Sequence, residues 1–197
     1  MKTWIRVVGL AVAVAVLAGG CVFSPKKTKP EETSEWLPQS SPAYCLANLQ
    51  NAYLKRSFNE YLKLFATDFT FVFSPADVGD PVDPTPASWG LDEERDTHEK
   101  MFSSDLLDRI QLSFEQDAAE ESNDEFPDTW KVNVHEINLI LDTRKENNEV
   151  WIYKVVDGQA TFYFKQYPNE KASDGRPLFR IWRWEDQPIG GLMARAE

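Results

Sequence analysis

Cysteine and histidine are scarce here, with two of each in 197 residues. A three-histidine metal centre is therefore impossible within one chain, and paired CxxC zinc or redox motifs are absent. The GxxxxGK[ST] phosphate loop, the GxSxG elbow and the HExxH helix are missing too. Nothing implies a metal, nucleotide, haem or other cofactor. Positive charge is also in short supply. Against 32 Asp and Glu stand 21 Lys and Arg, a net charge of −11. A nucleic-acid binder needs clustered Lys and Arg to displace counterions, and this balance opposes that role. The acid excess reads as a solvated, mutually repulsive surface. Hydrophobic residues make up 42% and aromatics 13%, so one domain can bury a core.

The apolar run at the start, Val7–Ala18, is short for a membrane span. Lys2 and Arg6 precede it, and Leu17-Ala18-Gly19-Gly20-Cys21 follows. A short positive region, an apolar stretch and small residues are the pattern of a signal peptide. The cysteine after Ala-Gly-Gly looks like a bacterial lipobox, although Ala18 stands where Leu is usual. Residues 1–20 are thus expected to be a lipoprotein signal peptide, with Cys21 lipidated. Two or more acyl chains hold a protein firmly on a bilayer. The partner expected there is membrane lipid, and the location the cell envelope. Val22 rather than Asp follows Cys21, which favours the outer membrane where there are two. Residues 21–40, polar and with three prolines in SPKKTKPEETSEWLPQ, read as a flexible linker in which Trp36 is out of place. Trp36 either packs back on the domain or sits at the lipid interface. Cys45, the other cysteine, reads as a small buried apolar side chain.

A domain is expected over residues 41–187. Ser41-Pro42 is a helix start. Leu46, Leu49 and Tyr53 recur at helical spacing. Ser57 with Glu60 three residues on matches a capping box for a second helix that carries Phe58, Leu62 and Phe65. From Phe69 the period changes to two, through Phe71 and Phe73. Pro75–Gly90 is a broken loop, and Asp77, Asp80 and Asp83 in it read as solvated turn residues. Leu91–Ser104 reads as a third helix. Asp92, Glu93 and Glu94 occupy its first turn, and Leu91, Arg95, His98, Met101 and Phe102 lie on or near one face. Strands follow. In Trp130–Thr143 the alternation slips near His135–Glu136, which predicts a β-bulge and a bent sheet. Asp157-Gly158 predicts a hairpin turn between two strands. Leu178–Glu185, LFRIWRWE, carries bulk on both faces and reads as central: Phe179 and Ile181 on one, Trp182 and Trp184 on the other. Residues 188–197 read as a frayed tail.

The opening SPAYCLANLQNAYLKRSFNEYLKLFATDFTFVF, the SWG and MF ends of the third helix segment and the closing FRIWRWEDQP resemble the nuclear transport factor 2-like superfamily, and more closely its SnoaL-like members. The likeness spans about Ser41 to Asp186. It implies an α+β, cystatin-like cone: a strongly curved antiparallel sheet of five or six strands wrapped around three helices, enclosing a cavity. Dimers through the sheet are common in that superfamily.

The resemblance implies a pocket without naming a reaction. The first expectation is a non-catalytic module that binds a small apolar ligand or an envelope protein. The alternative is a small isomerase, dehydratase or cyclase. His98 is then the weak catalytic candidate, although its first reading is a hydrogen-bonded, partly buried histidine closing the helix against the sheet. Tyr163, Arg183 and Glu185 are polar pocket candidates, because they lie on strands that line the cone in the superfamily. Trp182 and Trp184, with Trp151, are apolar contact or core residues.

Overall fold

A computed structural model describes residues 35–78, 85–122, 126–144 and 149–187. The expected leader, Cys21, most of the linker, Asp80, Asp83 and the tail 188–197 lie outside the described residues. Within them, three helices lie against one curved, unclosed sheet. The helices are α1 (Pro42–Lys55), α2 (Phe58–Leu62) and α3 (Leu91–Ser103). The strands are β1 (Phe65–Val72), β2 (Ser88–Gly90), β3 (Leu107–Gln116), β4 (Glu120–Ser122), β5 (Thr129–Arg144), β6 (Val150–Lys171) and β7 (Pro177–Asp186). The sheet order is β2-β1-β7-β6-β5-β3, with β4 also on β5. SWG, read with the third helix, is strand β2.

The helices start and stop for local reasons. Ser41 Oγ accepts the Tyr44 amide, and Pro42 sits in the first turn of α1. The chain leaves α1 through Arg56, whose φ of 51° is left-handed, while the Ser57 amide reaches back to the Ala52 carbonyl. Ser57 is thus occupied in closing α1. Its hydroxyl caps nothing, and Glu60 pairs with Lys63, so the expected capping box does not form. Helix α2 is a single short turn and more, and Phe65 already belongs to β1. Residues 35–40, expected in the linker, are part of the domain. The Asn48 side chain bonds the Leu37 amide and carbonyl, Gln39 accepts the Phe179 amide, and Trp36 packs on the core.

The sheet is mixed, not purely antiparallel. β1 and β7, the first and last long strands, lie side by side and parallel, and Phe71 registers with Trp184. The other pairings are antiparallel. β7 is central, flanked by β1 and β6, as its two bulky faces required. The bulge near Glu136 is present: Glu136 has φ 52°, and the β5–β6 register shifts between Val134 and Ile137. Asp157-Gly158 makes no hairpin. It lies inside the 22-residue β6, with Asp157 at φ 56° and Gly158 opposite Ile137. A Cβ on Gly158 would stand 3.1 Å from the Ile137 Cβ. Asp tolerates the left-handed region and Gly admits the close approach, so this dipeptide serves a second bulge beside the first. Both strands change parity at that level. Val132 and Val134 pair with Phe162 and Ala160 on the helix side, and Leu139 and Leu141 then pair with Val155 and Tyr153.

The core lies between the helices and this face. Leu46, Leu49, Tyr61, Leu64, Val132, Val134, Phe162, Phe164 and Ile181 are almost wholly buried. Each large apolar side chain so placed contributes about 1.5–3 kcal/mol. Cys45 is buried among them with its Sγ 3.4 Å from the Phe179 carbonyl, and burial pushes its thiol up to about 12. Among the described residues no helix is long and apolar enough to cross a membrane.

Candidate functional site

Five polar side chains from four elements meet beneath the helices. Glu94 and His98 stand one turn apart on α3, Tyr53 comes from α1, Tyr61 from α2, and Trp89 from β2. Their solvent exposures are 0% for Glu94 and Tyr61, 4% for Tyr53 and 7% for His98. Tyr61 donates its hydroxyl proton to Glu94 Oε1, and the Trp89 indole donates to Oε2 at 2.8 Å. His98 Nδ1 lies 3.0 Å from the Glu94 carbonyl and 3.2 Å from Oε1. A carbonyl can only accept, so Nδ1 carries the proton. Nε2 is then an acceptor, and Tyr53 donates to it at 2.6 Å. The Tyr61 hydroxyl is also 3.1 Å from Nε2. Ring packing fixes the imidazole: it stacks on Tyr61 with centroids 4.3 Å apart and meets Tyr53 and Phe102 edge-on.

Electrostatics follow from burial. The Glu94 carboxyl is pushed up to about 7 by desolvation, against the Tyr61 and Trp89 hydrogen bonds that favour its charge. Desolvation also pulls His98 down to about 4, although its bond to the Glu94 carbonyl opposes this. Tyr53 and Tyr61 are both raised, chiefly by burial. At neutral pH the imidazole is uncharged, and Glu94 is near its midpoint. Among the described residues no Lys or Arg pairs with Glu94, and His98 is its one basic neighbour. This set can hold and shift a proton internally. Among the described residues no cluster of three His, Cys, Asp or Glu could hold a metal ion.

The remaining predicted site residues divide between two faces of the sheet. Trp184 is on the helix side, 4.6 Å from the Phe162 ring and 5.2 Å from Phe71. Phe71 in turn meets Trp89, so aromatic rings link Trp184 to the Glu94 network. Tyr163, Trp182, Arg183 and Glu185 are on the opposite face. Tyr163 registers with Arg183, and a bulge between Tyr163 and Phe164 leaves Trp182 as the extra residue. That bulge explains why Trp182 and Trp184, of the same parity, lie on different faces. Phe126 gathers the outer group: its ring is 4.9 Å from Tyr163, 5.2 Å from Trp182 and 5.1 Å from the Arg183 guanidinium. Arg183 pairs with Glu185. Lys165 bridges Asp68 at 2.6 Å and lies 4.3 Å over the Trp182 ring. The geometry thus brings His98 and Trp184 to one side and keeps the other four together on the other.

Glu94, Tyr53, Tyr61 and Trp89 were not among the predicted site residues. Glu94 reads in the sequence as a first-turn acid favoured by the helix dipole, with Arg95 on or near the apolar face. In fact Arg95 is outward, paired with Asp92 and Asp96. The available signal was spacing, since Leu91, Glu94, His98 and Met101 form one helical stripe.

No protein-family model matches this chain, and no curated protein matches it. Solved structures do. A candidate aromatic ring hydroxylase from Novosphingobium aromaticivorans matches with TM-score 0.50 and 12% identity, over 77% of this chain and 88% of that one. A conserved protein from Planctomyces limnophilus matches with TM-score 0.50 and 12% identity, over 78% and 94%. A more distant match, with TM-score 0.45 and 15% identity over 76% and 98%, is a nuclear transport factor 2-like protein of unknown function in nutrient uptake from Rhodospirillum rubrum. The first two structures share the α+β architecture of this chain over about three quarters of its length. At such identities the likeness is one of architecture. In this domain the helices cover one face of the sheet, and the buried network sits where α3 and β2 meet that cover.

Proposed function

We propose that the chain is a lipid-anchored module of the bacterial cell envelope that binds a small apolar ligand or a protein partner and catalyses no reaction. One observation carries the non-catalytic half. The domain's buried acid–base set is closed on itself: both Glu94 oxygens and both His98 nitrogens are engaged by neighbouring groups, and almost no surface is open to solvent. A catalytic acid or base must come within hydrogen-bond reach of a substrate proton. The anchoring half rests on Lys2, Arg6, the apolar run and Ala18-Gly19-Gly20-Cys21. A second copy of the chain against the outer face of the sheet is part of this proposal. The test is the intact mass of the mature chain extracted from membranes of a bacterial host, beside Cys21→Ser. Triacylated or diacylated Cys21 at the N-terminus is expected, with the variant released from the membrane. An unmodified, freely soluble wild-type chain would overturn the anchor.

A second reading has its own support. A buried carboxyl and a buried imidazole in contact, shifted in opposite directions, are what proton-transfer sites contain. A small isomerase or dehydratase would exchange solvent deuterium into apolar ketones, and His98→Gln would abolish that exchange. A panel of such compounds, followed by mass spectrometry, decides between the two.

A further inference from the structure

Glu94 is the one buried carboxyl side chain among the described residues, and no Lys or Arg among them is buried to that degree. The groups that face it come from every element packed around it. They are Tyr53 on α1, Tyr61 on α2, the Trp89 indole on β2 and His98 on its own helix. From β1 comes the Phe65 ring, which packs beside Tyr61 and is itself met by the Phe69 ring. The charged neighbours on α3 turn outward: Glu93 accepts the Gly90 amide, and Arg95 pairs with Asp92 and Asp96. A carboxylate so buried, held by neutral donors and no cation, readily binds a proton.

The network accommodates that proton in two hydrogen-bond orders. With Glu94 ionised, Tyr61 and Trp89 both donate to it, and Tyr53 serves His98 Nε2. With Glu94 protonated, its own O–H donates to the Tyr61 oxygen, the Tyr61 proton turns to the Tyr53 oxygen, and Tyr53 keeps donating to His98 Nε2. The Tyr61 side therefore stays closed in both states. The Trp89 side does not. Its bond to a carboxylate is charge-assisted, and a bond to the neutral acid is about half as strong. Trp89 belongs to a three-residue edge strand that is otherwise held by its pairing with β1 and by ring contacts to Phe71 and Phe73.

We propose that Glu94 is a proton-operated latch: ionised, it grips the Trp89 indole and pins β2 to α3, and protonated, it slackens that grip while leaving the helices joined. Desolvation places the Glu94 carboxyl at about 7, so the latch works near neutrality. This inference is independent of the anchor and of any ligand.

The test uses the full chain labelled with nitrogen-15 at tryptophan, with the Trp89 indole resonance assigned by its absence in Trp89→Phe. Between pH 5 and 9 that resonance is expected to move with a single midpoint near neutrality. Solvent exchange of its proton is expected to be about tenfold faster in the acid state. In Glu94→Gln the resonance is expected to be pH-independent. A Trp89 signal that stays fixed in the wild type, or that titrates unchanged in Glu94→Gln, overturns the latch. Where Glu94→Gln fails to fold, the carbon-13 carboxyl shift of Glu94 in the wild type decides. A titration near neutrality supports the latch, and one in the ordinary carboxylate range overturns it.

Discussion

The two sides of the sheet handle similar chemistry in opposite ways. Beneath the helices, Glu94, His98, Tyr53 and Tyr61 are sealed from water, with the half-buried Trp89 indole bonded to Glu94, and they share protons with no Lys or Arg partner among the described residues. On the far side, Asp68, Lys165, Arg183 and Glu185 pair with full opposite charges around Trp182 and Phe126, the first two substantially exposed and the last two partly so. The outer carboxylate Asp68 loses a little solvation, but the Lys165 ammonium and the Trp182 indole outweigh that and hold it below the usual range. The inner carboxylate Glu94 is held above it. Burial decides the difference. In water an ion pair adds little because solvent already stabilises both partners, whereas a buried group left without a partner bears its whole desolvation cost.

The largest expected effect therefore comes from breaking the inner side. Tyr61→Phe removes one oxygen from a wholly buried ring and leaves Glu94 Oε1 only the His98 Nδ1 contact at 3.2 Å, on a proton already given to the Glu94 carbonyl. A loss of about 3 kcal/mol in urea unfolding is expected, from the upper end of the cost of an unsatisfied buried group. A loss under about 0.5 kcal/mol would mean that the two sides do not differ as described.

The next test sharpens the comparison with pH. Glu94 titrates at about 7 in the folded chain against 4.5 for a free glutamate, so its contribution is full below pH 4.5 and is lost as pH rises through 7. His98 is shifted the other way, from 6.5 to about 4, so its contribution is full above pH 6.5 and is lost as pH falls through 4. Between pH 4.5 and 6.5 the two slopes oppose each other. Relative to wild type, Glu94→Gln is expected to gain stability as pH rises across that window, and His98→Gln to lose it. Each difference should reach about 2 kcal/mol over two pH units. Unfolding curves at the two pH values check the signs, and equal signs would show that the pair does not titrate as argued.

These two regions were unequally legible in the sequence. The helix stripes, the slip near His135–Glu136 and the central placement of β7 were readable, because each is a periodicity that one strand or helix imposes on its own residues. The inner network was not, apart from His98. It joins residues from four elements, and Glu94 satisfies a helix N-terminus on paper as well as a buried site in fact. Asp157-Gly158 misled for a related reason. Its left-handed Asp and small Gly suit a turn or a bulge equally, and only the neighbouring strand decides. Residues 35–40 looked like linker because what orders them, the Asn48 amide, is on α1. On the outer face the composition was visible, but the bulge that turns Trp182 away from Trp184 was not.

The paired bulges carry the inner face along the strands, so strain there should affect both sides alike. Asp157→Val puts a β-branched side chain at φ 56°. A cost of about 1–2 kcal/mol is expected from the left-handed backbone, with Asp157→Gly near neutral. Thermal unfolding of the two variants separates backbone strain from loss of the carboxylate, because equal losses in both would assign the effect to the side chain.

The smallest effect is expected on the outer side. Asp68→Asn keeps a carbonyl oxygen for the Trp182 indole and the Lys165 ammonium but removes the charge. With both charged partners substantially exposed, the change should stay within about 1 kcal/mol and shrink further in high salt. Tyr61→Phe, measured in the same salt series, should keep its full cost, since no mobile ion reaches that site. Should Asp68→Asn prove as costly as Tyr61→Phe and equally indifferent to salt, the outer row is shielded from water by something that covers it, as a second copy of the chain on that face would.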